Sequence, residues 1–113
     1  MPSTTTYRPG ELVLVAFPFT GGTGAKRRPA LVLIDNGGPD ILLARVTTQT
    51  YSTSYDVTLT NWRLAGLLAL SVVRLHKLAT LERTLIERSL GHVADADRGR
   101  IAAALRTAFS AWG

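Results

Sequence analysis

The clearest indication of the fold is a run early in the chain that reads Lys26-Arg27-Arg28-Pro29-Ala30-Leu31-Val32-Leu33-Ile34. Its second half is continuously aliphatic, which is typical of a β-strand buried on both faces. Its first half carries three cations and a proline, so we expect charged side chains at the mouth of a buried strand. A similar run, Glu11-Leu12-Val13-Leu14-Val15-Ala16-Phe17, precedes it. The glycine-rich segment 18–25 between the two runs predicts a mobile loop.

Three further segments have the composition or the alternation of β-strands: 41–48, 55–59 and 71–81. The first follows a segment rich in turn-forming residues at 35–40, so it is expected to pair with the run 26–34 as a hairpin. The third changes its hydrophobic phase, and a bend near Lys77 would account for that change. The sequence therefore predicts a protein built mainly of β-strands.

Helical signals are fewer. Thr60 or Asn61 is placed to cap a short helix over 62–65. Segment 82–93 fits either one helix or a turn followed by a strand, and we favour the turn and strand. Segment 95–111 has apolar residues at helical spacing and acidic residues at its start, which predicts an amphipathic helix. We expect an α+β domain: a small, strongly bent, SH3-like β-barrel with a short helix and a C-terminal helix.

Length and composition limit the function. The 113 residues suit one domain, 1–113, with a polar N-terminal extension at 1–9. Hydrophobic residues make up 46% and charged residues 19%, and no apolar run approaches the ~20 residues of a membrane span. We therefore expect a soluble globular protein with no membrane partner. Thirteen Lys and Arg against eight Asp and Glu give a net charge of +5, which favours nucleic acid or an acidic protein as partner.

The chain contains no cysteine, which removes disulfides and thiolate chemistry. His76 and His92 are too far apart for a helical metal-binding pair, and the acidic residues are scattered. We therefore expect no metal and no cofactor. The start of the chain is polar and lacks the apolar region of a secretion signal, so a cytoplasmic location is expected.

Two segments carry groups suited to phosphate chemistry. Arg28, before Pro29, offers a guanidinium that meets phosphate oxygens in a bidentate manner. The segment 47–49 supplies two hydroxyls and an amide beside a loop. Phe19 and Tyr51, next to flexible segments, are candidates for stacking on unpaired bases. His76 lies on the polar side of its strand, where it could transfer a proton. Each of these interpretations has an alternative: the segment around Arg28 is a solvated basic turn, the threonines at 47–48 simply favour a strand, and His76 is an ordinary surface histidine.

Several ordered blocks, spread over nearly the whole chain from Gly10, carry a family resemblance: 10–15, 17–20, 26–33, 44–49, Trp62 with 65–67, 71–78, 90–91 and the C-terminal helix. They resemble the MazF/PemK family of toxins from type II toxin–antitoxin systems. The resemblance implies a homodimeric, sequence-specific, metal-independent endoribonuclease that cleaves single-stranded RNA, including mRNA. Attack of a 2′-hydroxyl on the adjacent phosphorus would leave a 2′,3′-cyclic phosphate and a 5′-hydroxyl. A cognate MazE-like antitoxin would inhibit it through an acidic tail in the RNA groove.

The resemblance also implies roles for single residues. It carries catalysis over to Arg28 and Thr47 and leaves the general base unassigned. The remaining RNA-binding candidates are Lys26, Arg27, Phe19, Thr20, Thr48 and Gln49. Two alternatives share the same fold: a non-enzymatic growth inhibitor that acts by binding, such as a gyrase poison, and a catalytically silent RNA-binding module.

Overall fold

One antiparallel sheet and a C-terminal helix make up the computed structural model, which describes residues 6–18 and 24–113. The strands are β1 (Glu11–Pro18), β2 (Ala25–Ile34), β3 (Asp40–Thr47), β4 (Asp56–Thr58), β5 (Val72–Glu82) and β6 (Ile86–His92). The helix α1 spans Asp95–Ala108, and single 3₁₀ turns lie at Arg83–Leu85 and Ser110–Trp112. Phe19, Thr20 and the rest of 19–23 lie outside the described residues, as do residues 1–5 of the predicted extension.

The sheet order is β4-β5-β3-β2-β1-β6, and each neighbouring pair is antiparallel. The predicted α+β class, the hairpin of β2 with β3 and the turn and strand over 82–93 are confirmed. The sheet is open, because no pairing joins β4 to β6 within the described ranges. β2 begins at Ala25, so the three cations lie inside this strand and not at its mouth as expected.

The short helix predicted over 62–65 forms consecutive turns instead. Asn61 acts as the expected cap, since its side-chain oxygen accepts a hydrogen bond from the Leu64 amide at 3.1 Å. Gly66 then adopts a φ of 78°, which ends the helical path after one turn. A side chain at Gly66 would collide with the backbone of Leu90, so this glycine lets the turn lie directly against β6.

Two groups of buried side chains lie on opposite faces of the sheet. The first, which packs against α1, includes Leu12, Leu31, Ala44, Val46, Val57, Leu59, Ala65, Val73, Leu75, Val93 and Ile101. The second includes Val13, Val15, Ala30, Val32, Ile41 and Leu43, with Leu81, Leu85 and Ile86 packed on it. Successive residues of a strand point to opposite faces. The continuous aliphatic run in β2 therefore serves both cores, as predicted for a strand buried on both faces.

An irregularity in β5 occurs at the predicted bend. Ala44 of β3 lies opposite Leu78, whereas its neighbour Arg45 lies opposite Arg74, so residues 75–77 form a bulge in β5. Because three is odd, the bulge reverses the faces of the strand. Val73 therefore points into the first core and Leu81 into the second.

The helix α1 is held against the sheet by a buried carboxylate. Asp97 accepts hydrogen bonds from the amides of Thr60 and Asn61 at 3.1 and 3.0 Å, and from the Thr60 hydroxyl at 2.8 Å. Arg100 donates to it as well, at 2.5 Å. Burial raises the pKa of Asp97, but these hydrogen bonds outweigh burial and lower its pKa to about 2. The first turn of the helix is thereby fixed although Ala94 provides no side-chain cap.

A second buried carboxylate fixes the turn between β2 and β3. Asp35 accepts hydrogen bonds from two nitrogens of Arg83, at 2.9 and 2.5 Å. Arg83 also donates to the carbonyl of Gly38 at 2.7 Å. The hydrogen bond from Arg83 outweighs burial and holds the pKa of Asp35 well below its usual range. This pair ties the turn to the end of β5.

Candidate nucleic-acid interface

A groove with a volume of about 410 Å³ crosses β1, β2, β3 and β5 at one end of the second core. Its apolar lining consists of Phe17, Leu43, Ala44, Leu78 and Ala79. The described residues that line it also include four cations, Lys26, Arg28, Arg45 and Lys77, and no carboxylate. A groove that joins an apolar surface to several cations suits a strand with charged phosphates and flat bases.

The basic tripeptide of β2 is divided between the two faces of the sheet. Lys26 and Arg28 are two residues apart, share a face and line the groove. Arg27 lies between them and points to the other face, where its Nε is 2.7 Å from Glu87 Oε1. The structure thus brings two of the three predicted cations together and places the third in an exposed ion pair.

Arg45 and Lys77 are groove residues that sequence reasoning did not single out. Arg45 is exposed between the buried residues Ala44 and Val46, and a lone cation in an aliphatic strand is a signal that a site search could have used. Lys77 gave no such signal, because it reaches the groove only through the bulge in β5. Bulges often redirect side chains in this way beside functional sites.

Thr47 ends β3 on the same face as Arg45, two residues further along. The register pairs Ala30 with Arg45, so the next residues on that face are Arg28 on β2 and Thr47 on β3. Thr47 is outside the groove lining, and its Oγ1 accepts a hydrogen bond from the Gln49 amide at 3.1 Å. The structure places the two predicted catalytic residues on one face and leaves Thr48 and Gln49 exposed beside them.

A polar cluster adjoins the groove because Arg74 lies directly opposite Arg45. The Arg74 guanidinium carbon lies 3.5 Å from the centroid of the Tyr51 ring, and Arg74 Nε donates to Asp56 Oδ1 at 2.8 Å. Tyr51 in turn donates to Gln49 Oε1 at 2.7 Å. Sequence reasoning proposed Tyr51 for stacking but missed its partner, since 23 positions separate them along the chain.

The electrostatics of the cluster centre on Asp56, whose side chain is 1% exposed. Burial raises the pKa of this carboxyl, but hydrogen bonds from Arg74 and Thr53 outweigh burial and lower it. His76 is exposed, as expected, with its Nε2 3.3 Å from an Arg74 nitrogen and its ring centroid 5.3 Å from that of Tyr55. Asp56 therefore neutralises Arg74 and holds it in place beside the groove.

Residues 6–18 and 24–113 contain no group of three or more His, Asp or Glu side chains placed to hold a metal ion. Nor does any helix within these ranges have the length and apolar character needed to cross a membrane.

Fold and groove together define a small α+β protein with a cationic cleft suited to a polyanion. The family model described as PemK-like, MazF-like toxin of type II toxin–antitoxin systems matches residues 8–109. The chain belongs to this family. No curated protein sequence matches it significantly.

Solved structures of the family share the fold. A MazE–MazF structure from Deinococcus radiodurans (Form-II) has a TM-score of 0.75 at 23% identity, covering 94% of this chain and 97% of that one. Toxin MazF-mt6 of Mycobacterium tuberculosis has a TM-score of 0.73 at 20% identity, with coverages of 88% and 96%. An endoribonuclease from a mycobacterial species has a TM-score of 0.72 at 19% identity, with coverages of 95% and 94%.

Proposed function

We propose that this protein is a toxin that cleaves single-stranded RNA, including mRNA, at specific sequences and without a metal ion. The observation that carries the proposal is the groove itself: the described residues that line it include four cations and no carboxylate, and Arg28 and Thr47 lie on the same face of the sheet. Membership in the PemK-like, MazF-like family and the likeness to a mycobacterial endoribonuclease support the same activity.

The proposed reaction is a transesterification within the RNA. The 2′-oxygen bonds to the adjacent phosphorus and loses its proton, while the bond from phosphorus to the 5′-oxygen breaks and that oxygen takes up a proton. The products are a 2′,3′-cyclic phosphate and a 5′-hydroxyl. Negative charge builds on the non-bridging oxygens, where the Arg28 guanidinium and the Thr47 hydroxyl donate hydrogen bonds. A guanidinium offers hydrogen-bond donors and no acceptor, so Arg28 acts as a donor and not as a base.

Neighbouring residues would position the strand. Lys26 shares the face of Arg28 and is assigned to a flanking phosphate. Thr48 and Gln49 are exposed beside Thr47 and are assigned to base contacts, and Phe19 and Thr20 remain sequence predictions for the same task. Arg27 would have to leave Glu87 to reach an RNA strand in the groove.

Partners follow from the same surface. We propose that an acidic segment of a cognate MazE-like antitoxin competes with RNA for the cationic groove, and the likeness to a MazE–MazF structure supports such a partner. A homodimer in the cytoplasm completes the proposal. Exposed apolar side chains at Leu68, Leu70 and Trp112, which are 98%, 57% and 88% exposed, provide surface for self-association.

The decisive experiment incubates the purified protein with a long single-stranded RNA in excess EDTA and maps the new ends. Cleavage at a short sequence with 5′-hydroxyl ends is expected. A strict need for a divalent cation, or 5′-phosphate ends, would contradict the proposed chemistry. RNA binding without cleavage would indicate a silent binding module, and intact RNA with gyrase stalled on DNA would indicate a gyrase poison.

A further inference from the structure

Resting on the proposed RNA-cleaving function, we propose that Arg45 and Lys77 form a second phosphate-binding site. This second site holds a phosphate of the same RNA strand that neighbours the phosphate at Lys26 and Arg28. It would determine how many nucleotides the protein contacts on either side of the cleaved bond.

The positions of the four cations separate them into two pairs. Lys26 and Arg28 lie on β2, whereas Arg45 lies on β3 and Lys77 on β5, and the sheet order places β3 between β2 and β5. Neighbouring strands are ~4.8 Å apart, so the backbone of Lys77 lies two strand spacings, about 10 Å, from that of Lys26 and Arg28. That width leaves room for two neighbouring phosphates of one RNA strand that crosses the groove from β2 to β5. One phosphate would then lie at Lys26 and Arg28 and the next at Arg45 and Lys77.

Neither Arg45 nor Lys77 takes part in the ion pairs found among the described residues, which include Arg27–Glu87, Arg74–Asp56, Arg83–Asp35 and Arg100–Asp97. Cations that converge on one groove without a carboxylate raise the local positive potential. A polyanion relieves that repulsion and releases its own counterions when it binds.

The backbone fixes where both side chains leave the sheet. Arg45 lies in the middle of the sheet, opposite Ala30 on one side and Arg74 on the other, and points to the groove face. The Arg74 guanidinium is occupied by Asp56 and Tyr51, which leaves Arg45 as the cation available at this position. Lys77 is the last residue of the bulge, which turns it toward the groove lining.

The apolar part of the groove favours a nucleic-acid strand over a small inorganic anion. Phe17, Leu43 and Leu78 lie in the same groove as the four cations. An extended strand offers a flat base or a sugar to such a surface while its phosphates contact the cations around it. A volume of about 410 Å³ is sufficient for part of a nucleotide and is far larger than a lone phosphate needs.

The test measures how RNA affinity depends on salt. The probe is a labelled 2′-O-methyl RNA of mixed sequence, about 12 nucleotides long, which lacks the attacking hydroxyl. Binding is followed by fluorescence anisotropy over a range of salt concentrations for wild type, Arg45→Gln, Lys77→Gln and the double variant. Arg45 and Lys77 share one phosphate, so the double variant should reduce the slope of log affinity against log salt by about 0.7, and each single variant by part of that amount.

Two matched variants make the result specific. Arg106→Gln removes the same charge from an exposed position in the last turn of α1 and should keep the wild-type slope. Arg45→Lys keeps the charge in the groove and should restore the slope lost in Arg45→Gln. A double variant with the slope of Arg106→Gln overturns the second phosphate-binding site.

Cleavage of unmodified RNA by the same wild-type preparation separates this proposal from the proposed function. Cleavage together with an unchanged slope in the double variant overturns the second site alone. Lack of cleavage together with a reduced slope overturns the proposed function and supports the second site. Thermal unfolding of every variant confirms that a changed slope does not arise from a damaged fold.

Discussion

Arginines have different surroundings in two regions of this molecule. At the junction of α1 with the turn after β4, Arg100 pairs with Asp97, a fully buried carboxylate. In the groove, Arg28 and Arg45 have no such ion pair among the described residues. The junction uses opposite charges to hold two elements together, whereas Arg28 and Arg45 lie in a groove whose described lining contains no carboxylate. The difference separates residues whose loss should affect stability from residues whose loss should affect activity.

The largest effect is expected in the groove. Arg28→Ala should reduce RNA cleavage by about 100- to 1000-fold, because one donor to the developing charge is lost. The free energy of unfolding should change by less than about 0.5 kcal/mol, since the side chain is exposed. Cleavage rates and chemical denaturation of the same preparation measure both quantities. Arg88→Ala, an exposed arginine on β6, is the matched control, and an equal loss of cleavage in it would contradict the role of Arg28.

The opposite result is expected at the junction. Asp97→Ala should lower the free energy of unfolding by about 3 kcal/mol, because it leaves the amides of Thr60 and Asn61 and the charge of Arg100 without their acceptor. Cleavage by the folded variant at low temperature should stay near the wild-type rate. Urea denaturation and a cleavage assay test both expectations. Asp95→Ala removes an exposed carboxylate from the same turn and should cost no more than about 1 kcal/mol.

The pH dependence of stability should reveal the same carboxylate. The pKa of Asp97 is about 2 in the folded protein, below its ordinary value of 3.8. Its stabilising contribution, about 2 kcal/mol, is therefore complete above pH 4 and is lost as the pH falls toward 2. Asp35 acts in the same direction. Denaturation between pH 5 and pH 2 should show a shallower decline for Asp97→Asn than for wild type, and identical slopes would contradict this reasoning.

The smallest effect is expected for the exposed pair of Arg27 with Glu87. The two side chains are 63% and 33% exposed, so water and salt screen their attraction. Glu87→Gln should lower the free energy of unfolding by less than about 1 kcal/mol, and added salt should remove the difference. A loss as large as that of Asp97→Ala would show that exposure does not separate the two kinds of ion pair.

Local patterns were sufficient to predict most of the fold. Alternation and aliphatic runs predicted the strands, and the acidic start with helical spacing predicted α1. The capping residue and the apolar spacing over 62–65 predicted a helix, and both are local signals. The segment forms turns instead, and Gly66 lies directly against Leu90, a tertiary contact that no local signal reveals. Arg28 stays a predicted catalytic residue; the basic run around it in the sequence pointed to it, and the structure places it in the groove lining.

The rest of the site depends on pairing between distant segments. Strand alternation directs Arg27 away from Arg28, although the two are adjacent in sequence. Arg74 meets Asp56 only because β4 pairs with β5. Lys77 reaches the groove only because the bulge in β5 turns it toward β2 and β3. Register and bulges decide which cations meet, and neither is determined by a single segment.

The bulge at 75–77 also constrains how this chain can change in length. In a regular β-strand, residues an even number of positions apart point to the same face. In β5, however, Val73 points into one core and Leu81 into the other. Removing one of the three residues would leave a bulge of two residues, which does not reverse the faces of the strand. Leu81 and every other residue between the bulge and the end of β5 would then point to the opposite face. Insertions and deletions here should therefore be tolerated only in pairs, whereas substitutions at exposed His76 and Lys77 leave the cores intact.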